Sequence, residues 1–201
     1  MAPIRRLSVF SAFFVLFFTT LSFSLKGVLS DTKFHSQSLT LIVSGTSTLH
    51  DWDLKSDKGH CEVLLGLDNN DKLNTISALN FSVPAESLKS GHSLMDDNTY
   101  KALKTGTNKT ISFVLSNATV AQTNATTYQI KALGKLTIAG ITRETDLAAT
   151  GTYYPVDKSF VITGTKALKM TDFNVTPPSV MMGTIKTGDE ISVYFSTKIV
   201  R

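Results

Sequence analysis

The residues best suited to chemistry are His50, Asp51 and Asp53, set around the chain's one tryptophan, Trp52. A histidine beside two carboxylates is the composition of a metal site or an acid–base pair. Convergence is the difficulty. Adjacent strand residues point to opposite faces, so His50 and Asp51 meet only if the backbone bends. The reading preferred here is a strand end at which Trp52 packs and His50 makes a structural hydrogen bond. His60, Cys61 and Glu62 form a weaker cluster, and His35 and His92 have no partner near in sequence. No nucleophile elbow, phosphate loop, zinc spacing or dinucleotide fingerprint occurs. No catalytic residue, metal ligand or cofactor is therefore expected.

The single cysteine, Cys61, excludes an internal disulfide. It falls in the alternating run Cys61, Val63, Leu65, Leu67, which reads as a small buried hydrophobe rather than a reactive thiol.

Beyond residue 30 the hydrophobic pattern has period two, the mark of half-buried strands. Eight runs qualify. They are Leu39–Val43 and Cys61–Leu67; Leu79–Val83, with Ile76 and Ala78 out of phase as a bulge produces; and Ile111–Leu115. Tyr128–Ile138, Leu147–Tyr153, Phe160–Gly164 and Ile191–Ile199 complete the set. Polar or glycine turns at residues 68–71, 139–140 and 155–157 separate neighbours. Short sequential strands with such links favour a meander, a barrel or a sandwich. Residues 92–104 (HSLMDDNTYKALK) break the alternation, with apolar residues at helical spacing and Asp96 and Asp97 ahead of Lys101 and Lys104. One short helix is expected there. Residues 170–188 read as a long connection, irregular around Pro177 and Pro178.

The amino terminus reads as a secretory signal peptide over residues 1–24. Arg5 and Arg6 give a positive start, residues 7–23 are apolar, and Ser22 and Ser24 are the small residues before a cleavage point. The apolar run is at the short end for a membrane span, so cleavage is favoured over anchoring. No cysteine stands at the cleavage point to carry a lipid anchor. Cleavage leaves about 177 residues, one domain long enough to bury a core. At 42% hydrophobic and 18% charged, the composition is globular. Without Arg5 and Arg6 the formal charge of +4 falls by two, and no basic cluster with interleaved aromatics is present, so nucleic acid is not expected.

Four segments, in order, resemble the YceI-like family of exported lipid-binding proteins. Residues 44–52 (SGTSTLHDW) resemble its first-strand motif, and residues 95–103 (MDDNTYKAL), followed by 109–113 (KTISF), its helix and next strand. Residues 134–142 (GKLTIAGIT) resemble its strand–turn–strand centre. Met170 to Phe173, Pro177-Pro178 and residues 183–189 (GTIKTGD) resemble its closing segment. Lys109 departs from a proline common in the family at that position, which alters a turn and leaves the fold intact. The resemblance spans nearly all of the chain after the signal.

The resemblance implies an all-β fold: a lipocalin-like, eight-stranded antiparallel β-barrel with one short helix, holding a polyisoprenoid or fatty-acyl amphiphile in the periplasm without catalysis. Small residues on the longest strand, Ala132 and Gly134, either leave a channel beside Leu136 or make room for large neighbours; the family favours the channel. Met95, Tyr100 and Leu103 on the helix and Phe113 on the next strand are the expected lipid contacts by residue type. Met170 and Phe173, with Met181 and Met182, are expected at the mouth. His50, Tyr100 and Lys101 are the head-group candidates. A homodimer is compatible with the reading, and no membrane span is expected after cleavage. The rival reading is an envelope structural or interaction protein with a filled barrel and no cargo.

Overall fold

The computed structural model describes residues 30–201, side chains excepted at Ser30, Val180 and Met181. The expected signal peptide, residues 1–24, lies outside the described residues. The strands are β1 (Ser30–Ser47), β2 (Trp52–Ser56), β3 (His60–Leu67), β4 (Leu73–Pro84), β5 (Thr110–Gln122), β6 (Thr127–Ile138), β7 (Ile141–Tyr154), β8 (Ser159–Lys169), β9 (Ser179–Val180) and β10 (Ile185–Val200). One helix, α1 (Ser93–Leu103), stands between β4 and β5.

Every pairing is antiparallel, and β10 returns to β1, so eight strands (β1, β3, β4, β5, β6, β7, β8 and β10) close on themselves. Closure removes the unpaired edges that an open sheet exposes, and eight strands enclose an interior able to hold one small ligand. The eighteen-residue β1 makes this possible. One of its edges serves β3 over Ser30–His35 and β2 over Leu41–Gly45; the other serves β10.

The inward face follows the alternation read from the sequence, and bulges shift its phase. Leu64 pairs Ala78 but Leu65 pairs Ile76, so Ser77 is the extra residue expected there. A second shift between Leu115 and Asn117 moves the inward phase of β5 from odd to even residues. The turn at Ala139 and Gly140 has φ values of 49° and 81°, the left-handed pair that a two-residue hairpin requires.

Six strands run well past the sequence-based expectation: β1, β4, β5, β7, β8 and β10. β8 continues past Gly164 to Lys169, and β10 begins at Ile185 rather than Ile191. The supposed connection from Met170 to Gly188 is thus mostly ordered: a 3-10 turn over Met170–Phe173, the two-residue β9, and the start of β10.

Two buried clusters hold the barrel. Phe34, Tyr128 and Phe160 sit with Val63, Leu65 and Ile199 at one end. Phe160 lies edge-on to Phe34 at 5.8 Å and against Tyr153 at 4.9 Å, and the Leu73 N–H donates to the Tyr128 hydroxyl at 3.3 Å. The second cluster joins Leu39, Leu41 and Leu54 to Leu88, Leu103 and Phe173, so α1 and the 3-10 turn cover the other end.

Candidate functional site

Between the clusters the barrel is hollow. A cavity of about 580 Å³ is lined by inward residues of every barrel strand, including Leu41, Val63, Leu79, Leu115, Ile130, Leu147, Ile162 and Val193. That volume falls in the usual range of small-molecule sites, about 300–1,000 Å³. The lining is overwhelmingly apolar. Its ionisable members are basic or the thiol of Cys61: His50, His92, Lys166 and Lys169 are present, and no Asp or Glu lines it among the described residues.

The sequence-predicted contacts divide cleanly. Met95 and Leu103 of α1, Phe113 of β5, Ala132 and Leu136 of β6, and Met170 and Phe173 of the 3-10 turn all line the cavity, as does His50 at its rim. Tyr100, Lys101 and Gly134 do not. Tyr100 is turned against the chain before α1: its hydroxyl lies 2.9 Å from the Glu86 carbonyl oxygen and 3.1 Å from that of Leu88, and Lys89 Nζ stands 4.8 Å from its ring centroid. It anchors the helix to the barrel rim. Lys101 is exposed, on a shallow outer groove beside Pro177 and Pro178. Met182 is fully exposed and does not line the cavity.

Gly134 answers the question its size raised. A Cβ there would lie 2.4 Å from the Phe113 ring and 2.5 Å from the Val114 carbonyl oxygen, so the glycine seats a ring and leaves no open space. Gly164 seats Phe195, and Gly45 seats Trp52, in the same way. The small residue that faces the cavity on β6 is Ala132.

His50 and the two aspartates form no chemical centre. His50 Nδ1 is 2.7 Å from the Asp51 carbonyl oxygen, and its backbone N–H and C=O are both engaged by Ser47. Asp53 accepts from the Ser44 hydroxyl at 2.7 Å. Trp52 donates Nε1–H to the Thr46 carbonyl at 3.0 Å, its ring lying over Gly45. Among the described residues no group of three or more His, Cys, Asp or Glu side chains could hold a metal ion. Cys61 faces the cavity, where burial, with a smaller push from Glu62, raises its thiol pKa to about 12.

The start of α1 is fixed by Asp96. Its Oδ1 accepts from the Ser90 N–H at 2.7 Å and from the Ser90 hydroxyl at 2.8 Å, and Lys89 Nζ lies 3.7 Å from Oδ2. Burial pushes this carboxyl up, but these donors outweigh it and hold it below the usual range. The contact runs back to the preceding loop rather than forward to Lys101.

Sequence reasoning missed Trp52, Leu54, Phe195 and above all Lys166. Trp52, whose ring packs over Gly45, also lines the cavity. Lys166 sits at the inward phase of β8, opposite Val193 of β10, where a lysine looks like the end of an alternating run.

A closed antiparallel barrel with an apolar hollow and one covering helix defines a ligand-holding barrel fold. The chain belongs to the YceI-like family, whose domain model matches residues 30–199. Among curated proteins none matches it. Solved structures share the fold at low identity. Burkholderia cenocepacia BcnA is 19% identical, with a TM-score of 0.60 over 80% of this chain and 96% of that one. A polyisoprenoid binding domain from Saccharophagus degradans, implicated in plant cell wall breakdown, is 9% identical, with a TM-score of 0.57 over 83% and 97%. The Campylobacter jejuni YceI protein is 14% identical, with a TM-score of 0.52 over 70% and 82%.

Proposed function

We propose that this protein carries a polyisoprenoid or fatty-acyl amphiphile inside its barrel, in the periplasm, and performs no chemistry on it. The observation that carries this reading is the continuous apolar hollow of about 580 Å³. A filled barrel, as the rival structural role requires, leaves no such space. Family membership and a neighbour that is a polyisoprenoid binding domain support the lipid class.

The energetics agree. If each chain carbon takes about the 30 Å³ share of a liquid water, the cavity holds roughly fifteen to twenty carbons. At about 0.8 kcal/mol per buried CH₂, such a tail gains on the order of 10 kcal/mol before the costs of association. Apolar burial alone therefore gives useful affinity. Export rests on the amino-terminal pattern of residues 1–24, and the reading of no catalysis on a sequence that carries no nucleophile elbow, phosphate loop or dinucleotide fingerprint.

Native mass spectrometry of the protein purified from its host's envelope, followed by extraction of any adduct, tests the reading. A stoichiometric prenyl or acyl adduct on a chain that has lost about 24 residues is expected. An adduct-free mass, with no uptake of added prenyl or fatty-acyl lipids, would replace this reading with that of an interaction protein.

A further inference from the structure

The barrel wall is incompletely zipped at two seams. The β4–β5 ladder covers only Asn80–Pro84 against Thr110–Val114, and the β7–β8 ladder ends at Ala149 and Gly164. The second seam is unusual because side chains take over from the backbone. At its outer end Arg143 Nε donates to the Asp172 carbonyl at 2.9 Å. Within it, Lys166 bonds Asp146 at 2.7 Å.

That pair crosses the wall. Lys166 is level with Val193, which lines the cavity, so its stem starts on the inward face. Asp146 is level with the exposed Leu133, and its side chain is 82% exposed. The lysine amine thus leaves the interior through the unzipped seam to meet a carboxylate outside. Asp146 is open to water, which competes for it, so the pair contributes little. The Lys166 ammonium is held by a partner it can exchange at small cost.

We propose that Lys166 is the head-group residue of this barrel and that the cargo bears an anionic head, a phosphate or a carboxylate, for which Asp146 is the stand-in when the barrel is empty. This rests on the lipid-carrier reading and narrows it. The lining is basic wherever it carries charge and holds no carboxylate, so an anion meets no repulsion inside. In the empty barrel Asp146 answers the Lys166 charge from outside the wall; an anionic head would answer it from inside with a charge-assisted hydrogen bond. The seam lies at the end covered by α1 and the Met170–Phe173 turn, so a head bound there leaves the tail to run toward the Phe34–Phe160 end.

The test compares four ligands on the full mature protein by fluorescence displacement: geranylgeranyl monophosphate, palmitate, and the neutral alcohols geranylgeraniol and hexadecanol. The wild type is expected to prefer the anions. Lys166→Met keeps the apolar stem and is expected to lose about tenfold or more for the anions, with the alcohols unchanged. Lys166→Arg retains the preference, and Asp146→Asn, which removes the competing carboxylate, binds the anions more tightly. A Lys166→Met loss confined to the phosphate, or to palmitate, identifies which anion is read. Unchanged anion preference in Lys166→Met, or equal binding of anions and alcohols by the wild type, overturns the proposal and leaves the carrier reading standing. Failure of the wild type to take up any of the four overturns the carrier reading itself.

Discussion

At the scale of single residues, two titrating groups make sharp predictions. Cys61 faces the cavity, yet its thiol is pushed up to about 12, chiefly by burial. The thiolate is the nucleophile, so almost none is present at neutral pH. Under native conditions Cys61 is expected to resist iodoacetamide while labelling readily in denaturant; rapid native alkylation would show that the barrel opens at β3. Asp157, in the β7–β8 turn, behaves oppositely. Its carboxylate accepts from Lys198 Nζ at 2.6 Å and from the Ser159 hydroxyl at 2.7 Å, with Lys198 first in effect, and its pKa is held at about 2. An unfolded aspartate titrates near 3.9, so between roughly pH 4 and pH 2 the unfolded chain binds the extra proton. The stabilisation from Asp157 is complete above that window and is lost as pH falls through it. A thermal melting series should show wild type and Asp157→Asn converging as pH falls from 4 toward 2. A constant gap across that range would assign the effect to something other than this titration.

At the scale of elements, the inward glycines explain how flat strands build a curved wall with a hollow inside. Gly134, Gly164 and Gly45 each lie under an aromatic ring from a neighbouring strand, and the ring covers the backbone the glycine leaves bare. Gly134→Ala is expected to cost about 1–3 kcal/mol in urea denaturation, the usual range for overpacking, because the new methyl meets both the Phe113 ring and the Val114 carbonyl. An unchanged midpoint would mean that Phe113 has a second place to go. Strand phase was legible in the sequence for a local reason: alternation at residues 61–67 or 128–138 depends only on neighbours two apart. The bulge at Ser77 was legible for the same reason. Strand length was not. Lys166 interrupts the alternation of β8 because its amine leaves through a seam made by a strand divergence that no local pattern encodes. The start of β10 was hidden likewise, because Thr187 and Gly188 look like a loop until Ser47 pairs with Thr187 from across the chain.

At the scale of the whole molecule, the same division holds for the site. Residue type led to Met95, Leu103, Phe113 and Met170 because large flexible apolar side chains suit an apolar hollow. It also led to Tyr100, whose hydroxyl is spent on the Glu86 and Leu88 carbonyls. Which apolar residue faces a void, and which fills one, depends on how eight strands close, and that is a long-range property. The void itself is therefore the feature to test. Ala132 and Ala149 line it on adjacent strands. Replacing both with Phe puts two rings into empty space rather than into packed atoms, so the variant is expected to fold with a melting temperature no lower than that of the wild type. Its capacity should fall. A ligand present at a hundred times its Kd stabilises the state that binds it by about 2.7 kcal/mol; added geranylgeranyl monophosphate should raise the wild-type melting temperature accordingly and leave the double variant unmoved. If the double variant melts normally and still takes up lipid at full stoichiometry, the cargo lies outside the barrel, and the hollow is a consequence of closure rather than a binding site.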